Sequence, residues 1–223
     1  MKLRFIALAL IGIGAGCHSP EITPAQREAV DLGLARTTAL MITPSQSAPR
    51  RDLLICTLPE MDESSSLAFI EKVARLGYRV LWVRTPAPAD PAAAAALLQA
   101  GAGRLTAPGK KGAMLFGLWP ECCPGLEDTT FQALIWVTSA GQAERCLGGA
   151  VDTTLRRPRL ALVIPAVEAV TLTSAWRGWI DSGENLIWLA TSQPVTALLQ
   201  SDLEPIVRRK AQLFFDRYLK GKK

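Results

Sequence analysis

The stretch LLICTLPEMDESSSLAFIEKVARLGYRVLWV, residues 53–83, decides the fold. Its two ends, Leu53–Leu58 and Arg79–Val83, are apolar on successive residues instead of alternating. A strand with that pattern is covered on both faces. Between them, Ser66 to Leu76 sets Phe69, Ile70, Val73 and Leu76 three and four residues apart, which predicts a helix with one buried side. Strand, helix and strand in roughly thirty residues is the unit of a parallel sheet.

The theme continues on both sides. Further apolar runs at Ala113–Leu118, Ala133–Val137, Leu160–Ile164 and Leu186–Ala190 predict buried strands. Asp90-Pro91 opens an alanine-rich helix to Gln99 that Gly101 is expected to end, Thr173 to Trp179 is a shorter helical candidate, and a last helix begins at Pro205. Upstream, Thr37–Thr43 reads as an edge strand and Ile22 to Leu34 as a short helix, with Thr23 as cap and Pro24 in its first turn. Pro44 to Pro49 reads as a loop. Alternation of this kind predicts an α/β fold with three layers, a mainly parallel sheet flanked by helices.

The N-terminus reads as an address. Lys2 and Arg4 precede an apolar run from Phe5 to Ile13, and Gly14-Ala15-Gly16 then places small residues directly before Cys17. Charged, apolar and small segments in that order make an export signal, and the apolar run is well short of the ~20 residues that span a bilayer. The arrangement resembles the bacterial lipoprotein signal, which implies cleavage before Cys17 and acylation of its sulfur. Gly14 stands where that signal usually has leucine, and an ordinary signal peptide cut near Ser19 is the other reading. Residues 1–16 are thus expected as signal, 17–36 as anchor and linker, and 37–223 as one domain. The localisation this implies is the bacterial cell envelope, lipid-anchored on its periplasmic or outer side.

The chain carries 25 basic and 20 acidic residues, a net +5 that falls to +3 without Lys2 and Arg4. Much of the excess lies at the C-terminus, in Arg208, Arg209, Lys210, Arg217, Lys220, Lys222 and Lys223. On a helix these residues oppose Ile206, Leu213, Phe214 and Tyr218, which reads as a solvated face or as a contact with anionic lipid headgroups. No nucleic-acid motif and no cofactor motif is found. The partners this implies are a membrane, through the anchor, and a protein or small-molecule ligand of unknown identity.

From about Thr37 to Leu219 the chain resembles an α/β-hydrolase. Ala74-Arg75-Leu76-Gly77-Tyr78-Arg79-Val80 resembles that family's frequent helix-to-strand passage, and Lys111 to Gly117 resembles the strand leading to its nucleophile elbow. The elbow reads G-x-S-x-G in the family, whereas this chain has Gly117-Leu118-Trp119-Pro120-Glu121. Trp119 therefore stands in the nucleophile's place, Glu168 near the place of the acid, and Gln193 near that of the base. The single histidine, His18, lies outside the domain. Without an imidazole, a serine lacks a base of matched pKa. Leu58-Pro59 also replaces the His-Gly that often follows the third strand.

Other chemistry at the strand ends draws on Glu60, Glu121, Cys122, Ser139, Glu168, Ser192 and Gln193. Glu121 beside Cys122 offers a carboxylate-assisted thiol, and the glutamates offer ligands for a hard cation. Zinc is not implied, because Cys122-Cys123 lacks the paired spacing and no histidine is near. Apart from Cys17 the cysteines are Cys56, Cys122, Cys123 and Cys146. An even count in an oxidising compartment predicts a disulfide from Cys122 or Cys123 to Cys56 or Cys146, and buried free thiols are the alternative. Trp82, Trp136 and Trp188 read as core, while Trp119 reads as a plug of the pocket. These departures predict an exported, lipid-anchored protein whose non-catalytic domain serves binding or assembly. The alternative is a histidine-free or cryptic hydrolase acting at the crevice over the strands' C-terminal ends.

Overall fold

The structure, a computed structural model, describes residues 25–45, 51–106, 110–117, 130–147, 159–165, 186–190 and 205–219. Eight strands form one sheet: β1 (Gln26–Val30), β2 (Thr38–Thr43), β3 (Arg51–Thr57), β4 (Tyr78–Arg84), β5 (Lys111–Phe116), β6 (Ala133–Val137), β7 (Arg159–Pro165) and β8 (Leu186–Ala190). Their order is β1-β2-β4-β3-β5-β6-β7-β8. β2 runs antiparallel to both β1 and β4, and every pairing from β4 across to β8 is parallel. Four helices are described: α1 (Glu63–Arg75), α2 (Pro91–Arg104), α3 (Ala140–Leu147) and α4 (Pro205–Leu219).

The successive apolar residues of the central strands supply two cores. Leu53 and Ile55 of β3 pack with α1 and α4, while Leu54 and Cys56 pack with α2 and Ala143 of α3. Each strand thus feeds both helix layers, as its sequence predicts. Fully burying one such aliphatic side chain stabilises the fold by about 1.5–3 kcal/mol. At the start of β3, the buried Asp52 accepts two hydrogen bonds from Arg79, at 2.9 and 2.7 Å, across the pair that fixes the β3–β4 register. Tyr78 donates from its hydroxyl to Asp216 of α4 at 2.5 Å, which ties the last helix to β4.

Three expectations need correction. The segment Ile22 to Leu34 does not hold the expected helix, because Gln26–Val30 forms β1 along the outer side of β2. The ladder takes precedence over local propensity, and Val30, Leu32 and Leu34 gain contacts with the α2-side core. Consequently β2 is not the edge strand, and the sheet reaches into the stretch expected as linker. Gly101 does not end α2, which continues to Arg104. A Cβ there would lie 3.0 Å from Leu54 Cδ1, so this glycine lets the helix approach the sheet. The start of α1 also precedes Ser66, since Asp62 caps it by accepting from the Ser65 amide at 2.7 Å.

Candidate active site

The sheet's connections place a crevice. β3 leads through α1 to β4 on one side, and β4 leads back through α2, over the other face, to β5. The strand order therefore reverses between β3 and β5. In open α/β sheets ligands bind outside the C-terminal ends of the strands at such a switch point. Two residues meet there, Leu58 after β3 and Gly117 after β5.

Gly117 makes the turn at the end of β5. Its φ is +106°, and a Cβ would lie 2.8 Å from Leu58 Cδ1. Its amide donates to Val137 O at 3.0 Å, and its carbonyl accepts from Trp136 Nε1 at 3.1 Å. Glycine is required on both counts, for the left-handed backbone and for the close approach of Leu58. Neighbouring rims are fixed in the same way: Thr85 donates its amide to Thr57 O at 3.1 Å, and Thr138 to Val163 O at 3.0 Å. Trp82 Nε1 donates to Thr57 Oγ1 at 2.8 Å, so both buried tryptophans described here spend their indole donors on the strand ends.

The polar groups on this rim have assignable roles. Ser139 caps α3, accepting from the Gln142 amide at 3.1 Å. Ser64 donates to Asp62 Oδ2 at 2.6 Å, and this bond, with the Ser65 amide, holds the Asp62 carboxyl below its ordinary range. A carboxylate so stabilised is a poor base. Ser66 is buried in α1, and Glu60 is exposed. Thr138 differs from these: its Oγ1 is buried and has no hydrogen-bond partner. Sequence reasoning passed over it, since a threonine after an apolar run looks like an ordinary strand end.

Of the two expectations for the cysteines, Cys56 takes that of a buried free thiol. Cys56 is a free thiol, buried on the α2 side, and burial pushes its pKa far upward. It neither bridges nor acts as a nucleophile in this state. Trp119, Glu121, Cys122, Cys123, Glu168, Ser192 and Gln193 lie outside the described residues, as do Cys17 and the helical candidate Thr173–Trp179. Cys146 falls on α3, but its side chain is outside the described set, as is that of Trp188 on β8. Among the described residues no cluster of three or more His, Cys, Asp or Glu suits a metal ion.

The strand order, the layers and the glycine turn define the α/β-hydrolase fold. No protein-family model matches the sequence, and no curated protein matches it. Solved structures do resemble it. A dienelactone hydrolase from Anabaena variabilis superposes with a TM-score of 0.59 at 11% identity, covering 88% of this chain and 100% of its own. A predicted CIB-like hydrolase from Thermoplasma acidophilum gives 0.55 at 13% identity, over 86% and 97% of the two chains. An acylaminoacyl peptidase from Pyrococcus horikoshii gives 0.58 at 10% identity, with 91% of this chain matching 43% of that one. At these identities the likeness establishes the fold. The expectation of a non-catalytic domain for binding or assembly is corrected by the same finding, because the neighbours are described as hydrolases and a peptidase. The lost serine and histidine had argued for that expectation, but they remove one route of catalysis and leave the crevice in place.

Proposed function

We propose that this chain is a hydrolase of acyl bonds, acting at the crevice between the ends of β3 and β5 with a thiol from the Cys122-Cys123 pair as nucleophile. The observation that carries the reading is the Gly117 turn, built at the switch point and held by both Val137 and Trp136. In hydrolases of this fold the turn after the corresponding strand presents the nucleophile. Cys122 and Cys123 follow Gly117 closely in sequence. The orphaned Thr138 hydroxyl at the neighbouring strand end adds support, since a buried unpaired polar group in a native protein calls for a partner, often water or ligand.

Thiol chemistry also answers the missing histidine. A serine is almost wholly protonated at neutral pH and needs a base beside it. An ordinary thiol, with pKa about 8.5, is already ionised by a few per cent at pH 7. Because Cys56 is free, bridging to Cys146 would occupy at most one of the adjacent pair and leave the other as a thiol. The thiolate attacks the carbonyl carbon, and the alcohol leaves with a proton from water. Water then cleaves the thioester, releasing the acid and restoring the thiol. Glu121 is the nearest carboxylate in sequence to assist proton transfer.

Turnover of short p-nitrophenyl esters by the purified chain tests this. We expect a rate that climbs from pH 6 to pH 9, as the thiol ionises, and that iodoacetamide abolishes. Cys122→Ser or Cys123→Ser should reduce it at least ~100-fold, in keeping with loss of the nucleophile. Full turnover in the double variant would sink the thiol reading, and no turnover by the parent would sink the hydrolase reading. We further propose that Cys17 carries a lipid that fixes the protein to the bacterial envelope, a reading supported by the run Gly14-Ala15-Gly16-Cys17. Equal aqueous partitioning of the exported parent and Cys17→Ser chains in detergent phase separation would refute it.

A further inference from the structure

The outer face of the α1/α4 layer has an unusual surface. Among the described residues, the exposed large hydrophobic side chains are Leu76 at 44% and Leu213 at 58%. Both belong to this layer: Leu76 caps the end of α1, and Leu213 sits in the middle of α4. The two helices are neighbours, since Val73 and Leu76 line one apolar cleft with Ala211, Gln212 and Phe215. Exposed cations surround both leucines. Lys72 and Arg75 lie beside Leu76, while Arg209, Lys210 and Arg217 surround Leu213. Spacing by four residues puts Arg209, Leu213 and Arg217 in one stripe, so Leu213 lies among the cations and not, as expected from the sequence, on the face opposite them.

The carboxylates of these helices offset that charge only in small part. Glu63 pairs with Arg84 and Glu71 with Arg27, and Asp216 accepts the Tyr78 hydroxyl. Among the described residues the face therefore presents an excess of exposed cations, Lys72, Arg75, Arg209, Lys210 and Arg217 against the half-buried Asp216, around two exposed leucines. We propose that it docks on an anionic lipid bilayer, with the cations at the headgroups and Leu76 and Leu213 dipping into the interface. Charge complementarity selects this partner, for each cation near such a surface favours binding by about fivefold, and an exposed leucine adds apolar insertion. At Leu76 and the end of α4 this contact lies away from the crevice. Arg75 and Leu76 directly precede β4, and Leu219 lies where a Cβ on Gly112, near the start of β5, would meet it. Leu76 and the last turn of α4 thus lie toward the N-terminal ends of the strands, and the crevice opens at the other ends. The inference stands apart from the thiol chemistry and does not require an acyl anchor.

Vesicle co-sedimentation tests it, using the full chain with Cys17→Ser so that no acyl chain contributes. Vesicles of phosphatidylcholine alone are compared with vesicles containing 30% phosphatidylglycerol. We expect preferential binding to the anionic vesicles that fades in 0.5 M salt. The variant Lys72→Glu/Arg75→Glu/Arg209→Glu/Arg217→Glu should lose at least ~100-fold of that preference. A Gln version of the same four substitutions, checked by circular dichroism, serves if the Glu version does not fold. Leu213→Ser should weaken anionic-vesicle binding severalfold. Equal binding to both vesicle types, or undiminished anionic binding by the charge variant, would overturn the proposal. So would tight binding to heparin without binding to vesicles, which would assign the face to an acidic polymer.

Discussion

A side chain at position 117 would have to hold a φ of +106° while its Cβ lay 2.8 Å from Leu58 Cδ1. Those are two separate costs, one in the backbone and one in the contact. We expect Gly117→Ala to lower the unfolding free energy by about 1–3 kcal/mol, read from urea denaturation. Adding Leu58→Ala removes the contact but leaves the left-handed backbone. The Gly117 substitution should therefore cost less in the Leu58→Ala background, yet still more than nothing. Full rescue would mean that the turn stores no backbone strain. No cost in either background would mean that the turn is not built as described. The same scale separates the two kinds of serine at the rim. Ser139 and Ser64 are engaged in caps, so their hydroxyls serve α3 and α1.

At the scale of elements, α1 depends on Asp62, whose carboxylate receives the Ser65 amide and the Ser64 hydroxyl. Those bonds lower its pKa in the folded state. For a lowered carboxylate the stabilisation is fully present above the unfolded value, 3.8, and is lost as the pH falls through the folded one. Asp62→Ala should thus lower the urea midpoint at pH 7, and the gap to the parent protein should narrow as the pH drops below about 4. A gap that stayed constant down to pH 2 would show that the cap does not act through its charge. The helix itself was legible in the sequence, but its first turn was not, since a run of Ser and Glu has no apolar period to read. Strands β3 to β8 were legible from their unbroken apolar runs, which in β3 to β7 reflect burial on both faces. β1 was not, because Gln26-Arg27-Glu28-Ala29-Val30 is a strand only by virtue of the β2 edge it joins. Gly117 could be placed from its position after β5, whereas the orphaned hydroxyl of Thr138 depends on packing that no local pattern records.

For the whole molecule, the parallel sheet sets the two proposed sites apart in space. Connections that reverse between β3 and β5 put the crevice at the C-terminal ends of the strands. Arg75, Leu76 and the last turn of α4 lie toward the opposite ends, where α1 hands over to β4 and a Cβ on Gly112 would meet Leu219. Rigid strands lie between these regions, with the α1-side core packed beneath Phe69, Ile70, Phe214 and Phe215. Substitutions more than about 7–10 Å apart that share no partner act independently to within ~0.5 kcal/mol. We therefore expect a double dissociation. The charge-reversed α1/α4 variant should retain ester turnover within about twofold in solution, while its preference for anionic vesicles collapses. Conversely, the Cys122→Ser/Cys123→Ser variant should lose turnover and bind those vesicles as tightly as its parent. Measuring both properties on both variants decides the matter, because each protein controls for the folding of the other. If the charge variant lost turnover in the absence of any membrane, while keeping its circular dichroism and urea midpoint, the two regions would be coupled. The membrane contact would then have to be redrawn as part of the catalytic machinery.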